Sequence, residues 1–442
     1  MPEPGDSGYG DGYFPLDGNG GIDVQSYRIR DRYRFASGRL SGSTRLVVRA
    51  TEDLSRFNLD LLLPVTSVTV DGRRAGFSKP DEHELRITPR RPLVGGHVFT
   101  VRVEYAGVPG PIGYLGEHNW LANDIEVVAM NQPHMAPWWF ASNDHPGDKA
   151  LMDIAITARE DRQVIANGER ISRTGDGRWR TTRWRSDEPM ATYLAFFAAG
   201  DWRVATGERD GLPWRAVVSR HLGQAEGRAA MSLMKKTPDV IDALETDLGP
   251  YPFSTAGGLT TSLAVGFALE NQTMPTYPYW GSGPYAFSTV VHEQAHQWFG
   301  DHVAIRRWRD IWLNEGAATF MEKRYDETHG GQAAAAWLRA SYDEESGGFW
   351  SLPIEDPGPD HIFDRAVYDR GAMTLQALRN RIGEDDFWTL VHRWLDEHGG
   401  RNGSTTQFRA LAAEVSGEDL TGFFDAWLRA GKPADTPANG LG

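Results

Sequence analysis

The sequence predicts an α+β protein with two main domains, an antiparallel β domain of saddle or sandwich type followed by a mainly helical domain. The hydrophobic pattern predicts this order. Between residues 21 and 205, apolar and polar residues alternate in short runs, and no long stretch has helical spacing. Between residues 206 and 430, apolar residues recur every three or four positions instead. The length of 442 residues provides enough chain for a separate core in each domain.

Both ends of the chain are predicted to be flexible tails. Residues 1–20 are rich in glycine, aspartate and proline, and they close with the turn Gly18-Asn19-Gly20-Gly21. Residues 431–442 are polar and also contain proline and glycine. We therefore expect the folded domains to be residues 21–205 and 206–430.

The β domain is predicted from a succession of short strands. The clearest is 65–70, which alternates valine with threonine and serine and then enters the tight turn Asp71-Gly72. Comparable runs occur at 27–30, 44–48, 85–87, 98–103 and 153–156.

The second domain is predicted from helices with recognisable ends. One long helix is expected at 225–248, because Gly249-Pro250 stops the pattern there. Another is expected between Pro284, which suits a first helical turn, and Gly300, which suits a helix end. Further helices are expected at 308–328, 332–342, 366–381, 385–398, 406–416 and 420–430.

The composition excludes several classes of function. A net charge of −14 disfavours nucleic acids and anionic membranes as partners. The absence of cysteine excludes thiol nucleophiles, disulfides and cysteine-bound metal clusters. No basic start with an apolar run follows Met1, and no stretch is long and apolar enough to span a membrane. We therefore expect a cytoplasmic protein, or a secreted one if a signal has been removed; the sequence gives no indication of oligomeric state.

The motif His292-Glu293-Gln294-Ala295-His296 predicts a metal site. Two histidines four residues apart lie on one face of a helix, and this H-E-x-x-H pattern is typical of catalytic zinc. Such a zinc ion needs a third protein ligand and one open position for water. Glu315 is the natural third ligand, because it falls on the next predicted helix in an otherwise inward-facing stripe. We expect one Zn²⁺ per chain.

A second acidic residue of that helix is a candidate to support the site. Glu322 lies seven residues after Glu315, and therefore on the same helical face. Metal-binding histidines usually donate their other ring N–H to a carboxylate or a carbonyl group. We therefore hypothesise that Glu322 orients one of the two histidines.

The motifs resemble those of the aminopeptidase N and leukotriene hydrolase family of zinc metallopeptidases, the gluzincin aminopeptidases. His292-Glu293-x-x-His296 and Trp312-Leu313-Asn314-Glu315-Gly316 match its zinc-binding motifs. Phe267-Ala268-Leu269-Glu270-Asn271 resembles its Gly-Ala-Met-Glu-Asn motif, with Phe267 in place of the first glycine and Leu269 in place of methionine. The resemblance implies a β saddle domain followed by a thermolysin-like catalytic domain. It also implies a short form, without the family's C-terminal helical domain.

The resemblance implies roles for further residues. Glu270, with Ala268 and Asn271 in the same motif, would bind the free α-ammonium end of a peptide. Gln132, in the segment that precedes Asp144, resembles the residue that assists this binding. Tyr368, within Val367-Tyr368-Asp369-Arg370-Gly371-Ala372, resembles the family's catalytic tyrosine, whose phenol would donate to the developing oxyanion.

Together these features predict a zinc-dependent aminopeptidase. It would hydrolyse the N-terminal peptide bond with a metal-activated water, and Glu293 would be the general base. Its partners would be peptides with a free N-terminus. The alternatives are a zinc endopeptidase or an epoxide hydrolase on the same site, or a non-catalytic scaffold that keeps only the fold. Cleavage of N-acetylated peptides would favour an endopeptidase, and turnover of a lipid epoxide would favour an epoxide hydrolase. Absence of zinc would favour a non-catalytic scaffold.

Overall fold

The computed structural model describes residues 2–441 and divides into two compact units. The β unit consists of residues 2–235 and Phe253–Gly281; the helical unit consists of Lys236–Pro252 and residues 282–441. This confirms the α+β class and the order of the two predicted domains. The chain does not pass from the β unit to the helical unit at a single point near residue 205. The segment Phe253–Gly281, which contains Glu270, returns to the β unit.

The β unit is built from strands β1 to β20 and helix α1. In chain order the strands are β1 Glu3–Pro4, β2 Ile22–Arg34, β3 Arg39–Ala50, β4 Leu54–Asp60, β5 Val65–Val70, β6 Arg73–Arg74, β7 Gly76–Ser78, β8 Glu84–Thr88, β9 Val98–Gly107, β10 Leu121–Ala122, β11 Val127–Ala129, β12 Ala150–Arg159, β13 Gln163–Ala166, β14 Glu169–Gly175, β15 Trp179–Met190, β16 Phe197–Gly200, β17 Trp202–Arg209, β18 Leu212–Ser219, β19 Ala256–Thr260 and β20 Thr276–Tyr277. Helix α1 is Gln224–Met234.

The largest sheet has eight strands in the order β14-β15-β12-β2-β3-β9-β5-β6. Its neighbours are antiparallel except for β2 and β12, which are parallel. The prediction of an antiparallel domain is therefore correct for most pairs and wrong for this one. A parallel pair needs a long crossover, and the strands from β3 to β11 form it here. Alternate residues of β2, such as Tyr27 and Ile29, are fully buried, as half-buried strands require.

Three four-stranded sheets complete the β unit, in the orders β1-β4-β8-β7, β10-β11-β16-β13 and β17-β18-β19-β20. The last of these matters for the candidate site. Its strands β19 and β20 precede and follow the segment that contains Phe267 to Asn271, and Leu269 pairs with Thr276 in an isolated bridge. The segment is therefore held at both ends by a sheet.

The N-terminal segment, predicted to be a flexible tail, packs onto the β unit. Glu3–Pro4 pairs with β4, and two buried contacts between an aspartate and a histidine fix the following residues. Asp11 lies 3.1 Å from His145, and Asp17 lies 2.6 Å from His134. Burial alone would lower the pKa of His134, but Asp17 and Glu117 raise it to about 10. The His134 imidazole is therefore charged at neutral pH. The glycine-rich composition of residues 1–20 gave no sign that this segment packs against buried histidines.

The helical unit contains strands β21 Ala304–Ile305 and β22 Asn402–Gly403 and helices α2 to α10. The helices are α2 Thr237–Leu248, α3 Pro284–Ala295, α4 Trp312–Thr328, α5 Ala334–Glu344, α6 Gly348–Ser351, α7 Arg365–Ile382, α8 Glu384–His398, α9 Thr405–Ser416 and α10 Thr421–Leu428. None of the helices in residues 2–441 is both long and apolar enough to cross a membrane.

Two predictions for this part of the chain were wrong. The expected helix at 225–248 is two helices, α1 and α2, because Pro238 lacks an N–H donor and suits only the first turn of a new helix. The expected tail after residue 430 is also ordered. The indole N–H of Trp427 donates to the Asn439 carbonyl at 3.0 Å, and Leu441 is buried at 3% exposure.

Helices α4 and α7 pack against each other through two glycines. A Cβ atom built on Gly316 would lie only 2.7 Å from the Cα of Gly371. The two backbones therefore touch, which no larger residue at either position permits without a shift. Gly316 follows Glu315, and Gly371 lies one turn after Tyr368, so this contact sets the distance between the helical turns that carry both residues.

Candidate metal centre and substrate-binding segment

The helical unit brings the three predicted metal ligands together. Nε2 of His292 and Nε2 of His296 are 3.0 Å apart, and Oε2 of Glu315 lies 3.4 Å from the first and 3.3 Å from the second. We call these three atoms the metal triangle. All three side chains are buried, with residue exposures of 8%, 1% and 2%. The structure therefore brings the three predicted ligands into one cluster that could hold a metal ion.

The second nitrogen of each imidazole is held by its own acceptor. Nδ1 of His292 lies 2.8 Å from a carboxylate oxygen of Glu322, and Nδ1 of His296 lies 3.0 Å from the Phe299 carbonyl oxygen. Both acceptors require a hydrogen on Nδ1, so the lone pair of each Nε2 atom is directed into the metal triangle. This confirms the hypothesised contact of Glu322 with a histidine.

The metal triangle fits a zinc ion. A tetrahedral zinc with nitrogen and oxygen ligands about 2.0–2.2 Å away holds neighbouring ligands roughly 3.3–3.6 Å apart. The observed separations of 3.0–3.4 Å are close to these values. Three lone pairs at such distances repel one another unless a cation lies between them. The donor set of two imidazoles and one carboxylate is also that of catalytic zinc.

The electrostatics of the triangle favour an ionised carboxylate. Burial alone would raise the pKa of Glu315, but the two imidazoles lower it. Burial alone would also lower the pKa of His292, but its contacts with Glu315 and Glu322 raise it well above the ordinary value, so a metal ion that binds Nε2 displaces a proton from this imidazole. A carboxylate must be ionised to bind a metal ion, and Glu315 meets this requirement although it is buried.

Local structure explains how the ligands reach these positions. Helix α3 begins at Pro284 and ends at Ala295, earlier than predicted, so that His292 lies in its last turn and His296 caps it. The chain then turns through Gly300, whose φ of +122° favours glycine and lets the Phe299 carbonyl meet His296. Glu315 lies in the first turn of α4.

The two predicted catalytic residues lie beside the triangle within the same unit. Glu293 follows His292 on α3 and is buried, with 5% exposure. Tyr368 lies in the first turns of α7, and its ring is 5.9 Å from that of His292, with the two planes only 20° apart. The structure therefore brings together His292, His296, Glu315, Glu293 and Tyr368.

In the β unit, the two residues predicted to bind an amine contact each other. The side-chain amide of Gln132 donates to Oε1 of Glu270 at 3.1 Å, although the two residues are 138 positions apart. Glu270 is buried at 2% exposure. The Gln132 amide thus orients a carboxylate whose charge is little screened by water.

Other residues of the motif have different surroundings. Ala268 is half-buried, and Phe267 is exposed at 36%. Asn271 is fully buried, and its amide donates to the Leu194 carbonyl at 3.2 Å. Asn271 therefore shapes the segment from inside, and its predicted contact with a substrate stays a prediction. The amide of Asn167 holds the same region by donating to the carbonyls of Leu194 and Gln272.

Sequence reasoning missed two partners of the metal triangle. Ser288 donates its hydroxyl to Glu322, and the Phe299 carbonyl accepts from His296. Ser288 lies one helical turn before His292, and this i,i+4 spacing was available as a signal. The sequence contained no signal for the Phe299 carbonyl. Whether a backbone carbonyl meets a side chain depends on the conformation of the turn and not on the residue type.

Comparisons with known proteins cover both units. The family model of the peptidase M1 N-terminal domain matches residues 36–194, and that of the peptidase family M1 domain matches residues 282–427.

Individual relatives are identical to this chain at about a quarter of aligned positions. Aminopeptidase 2 of Candida albicans is 27% identical over 315 residues, covering 66% of this chain and 33% of that protein. Tricorn protease-interacting factor F2 of Thermoplasma volcanium is 26% identical over 324 residues, covering 66% of this chain and 40% of that protein. The chain thus spans well under half the length of these relatives.

One solved structure matches nearly the whole chain. A mutant M1 zinc metallopeptidase of Deinococcus radiodurans, bound to a Tyr-Ser-Ala substrate, aligns with a TM-score of 0.85 at 27% identity. The alignment covers 97% of this chain and 100% of that one.

Proposed function

The chain belongs to the M1 family of peptidases, and from this premise we propose that it is a zinc-dependent aminopeptidase that acts on peptides with a free N-terminus. The observation that carries the proposal is the metal triangle, three converging lone pairs on buried side chains that need a cation. The relatives named as aminopeptidases and the metallopeptidase with a tripeptide substrate support it.

Zinc would be held by His292, His296 and Glu315. When bound, it supplies a Lewis acid that polarises the substrate carbonyl and lowers the pKa of water to about 7. Glu322 and the Phe299 carbonyl keep the imidazoles in the required tautomer and orientation.

Glu293 is the proposed general base. It is the neighbour of a ligand on α3, and its carboxylate is buried, so that its charge is little screened. It accepts a proton from the attacking water and returns that proton to the leaving amine. No other carboxylate lies between the two ligand histidines in the sequence.

Tyr368 is the proposed oxyanion donor. Its ring lies alongside that of His292, and its phenol O–H can donate to an oxygen that becomes negative as the carbonyl is attacked. The contact between Gly316 and Gly371 holds the turn of α7 that carries Tyr368 against α4. A donor fixed in this way needs no reorganisation during the reaction.

Glu270 is the proposed ligand of the substrate's α-ammonium group. A peptide α-amine has a pKa of roughly 8 and is therefore mostly cationic at neutral pH. Gln132 fixes one oxygen of the Glu270 carboxylate by a hydrogen bond of 3.1 Å. A carboxylate that binds the amine restricts cleavage to the peptide bond nearest to it.

Paired peptides test the proposal. We expect the wild type to hydrolyse free aminoacyl fluorogenic substrates and to lose this activity with a chelator. N-acetylation of the same substrates should lower kcat/KM by roughly 10- to 100-fold or more, because a charged hydrogen bond contributes about 1.5–3 kcal/mol. Replacement of Glu270 by alanine should remove most of the difference between the two substrates.

The control is Glu344→Gln on the exposed end of α5, which should behave as the wild type. Equal cleavage of free and acetylated substrates by the wild type would contradict the aminopeptidase assignment and favour an endopeptidase. A purified protein that contains no zinc and hydrolyses neither substrate would contradict the peptidase assignment altogether.

A further inference from the structure

Three arginines of the β unit have no acidic partner. Arg170 and Arg173 lie on β14, and Arg215 lies on β18. Within residues 2–441, their guanidinium groups form no ion pair and donate no hydrogen bond to a protein acceptor. Other arginines of the chain, such as Arg183, Arg324 and Arg409, are paired with carboxylates.

The three arginines line one cavity of about 130 Å³. This volume is ample for a small anion with ordered water, since about 10–15 Å³ of such space is enough for one water molecule. The wall also includes polar side chains from three neighbouring strands, namely Gln163, Thr182 and Thr206. We call this cavity the arginine pocket; it lies entirely within the β unit.

Arg215 is the most enclosed of the three. It is half-buried, and its guanidinium carbon lies 4.6 Å from the centre of the Trp184 ring, over which it stacks. Burial and the neighbouring charge of Arg170 lower the pKa of Arg215 to about 10, so it remains charged at neutral pH. A half-buried cation that faces another cation is costly unless an anion compensates it.

We propose that the arginine pocket binds a phosphate-type dianion. The planar guanidinium group donates two parallel hydrogen bonds to neighbouring oxygens of a phosphate, a match that lysine does not offer. Three positive charges favour a doubly charged group over a single carboxylate. The hydroxyls of Thr182 and Thr206 and the amide of Gln163 supply further donors around the same space. The site does not depend on the proposed peptidase activity.

Calorimetric titration with inorganic phosphate at constant ionic strength tests this proposal. We expect saturable binding of one phosphate per wild-type chain. The double variant Arg170→Gln/Arg173→Gln should weaken this binding at least about tenfold for each arginine, since a hydrogen bond to a charged group contributes about 1.5–3 kcal/mol. Strand β14 is exposed throughout, so these substitutions leave the core intact.

Arg45→Gln is the matched control. Arg45 is an exposed arginine on β3, which contributes no residue to the pocket. This variant removes one charge from the same unit and should bind phosphate as the wild type does. If Arg45→Gln weakens binding as much as the double variant, the effect is one of net charge and the proposed site is wrong.

A thermal melt supplies an independent reading. Phosphate that binds only the folded state raises the Tm of the wild type, and it should not raise that of the double variant. Succinate, a dicarboxylate, should bind more weakly than phosphate. Absence of phosphate binding to the wild type at millimolar concentration would overturn the proposal, and tighter binding of succinate would overturn the assignment to phosphate.

Discussion

The metal triangle of the helical unit and the arginine pocket of the β unit concentrate charges of opposite sign. Around the triangle, the carboxylates of Glu315 and Glu322 hold two imidazoles whose lone pairs converge. In the pocket, the guanidinium groups of Arg170, Arg173 and Arg215 share a cavity without a carboxylate. Each group of side chains would be stabilised by a ligand of the opposite charge. The metal triangle therefore favours binding of a cation, and the arginine pocket favours binding of an anion.

The largest expected effect comes from neutralising the triangle. Glu315→Gln should lose zinc during dialysis and lose hydrolysis with it, because an uncharged amide is a poor metal ligand. Glu293→Gln should keep its zinc but lower kcat by roughly 10²- to 10⁴-fold, since an amide cannot accept a proton. Metal analysis and fluorogenic hydrolysis, measured on the same samples, distinguish the two.

The same samples test whether the two charged groups are separate. Arg170→Gln/Arg173→Gln should retain full zinc content and hydrolysis, and Glu315→Gln should retain phosphate binding. Loss of zinc from the arginine variant would show that the comparison between two independent sites is wrong.

A smaller effect is expected one step away from the triangle. Glu322→Gln keeps a hydrogen-bond acceptor for Nδ1 of His292 but removes the charge, so zinc affinity should fall about 10- to 100-fold. Competition with a chelator measures this, and Glu344→Gln on α5 is the matched control. An unchanged affinity would mean that Glu322 only fills space beside the histidine.

The smallest effect is expected where no charge is involved. Gly316→Ala adds a methyl group 2.7 Å from the backbone of Gly371 and should destabilise the protein by about 1–3 kcal/mol. Gly422→Ala on α10 is the control, because its Cβ meets no atom within 4 Å. Denaturant melts of both variants measure the difference, and an equal stability would mean that α4 and α7 separate easily.

The metal triangle was predictable because its signal is local. His292 and His296 are four residues apart on one helix, and the following helix supplies Glu315, so helical periodicity alone brings the two imidazoles together. The resemblance to the family predicted that Gln132 assists Glu270 in binding an amine, and in the structure the two side chains form a hydrogen bond. The proposed roles of these residues toward a substrate stay predictions.

The features that sequence reasoning missed depend on distant pairs. His134 is buried against Asp17, which lies 117 residues earlier, and composition made that segment look like a tail. The parallel pairing of β2 and β12 depends on the path of the chain between them. The arginine pocket combines β13, β14, β15, β17 and β18, whose relative positions no periodicity reveals.

The ordered N-terminal segment has a practical consequence for anyone who shortens this protein. Removing residues 2–20 would leave the buried, charged imidazole of His134 without the carboxylate of Asp17. Removing one partner of a buried ion pair typically costs about 3–5 kcal/mol, a large part of the stability of an ordinary domain, and the remaining contact of His134 with Glu117 offsets part of this cost. Truncations designed on the glycine-rich appearance of this stretch would thus weaken the β unit.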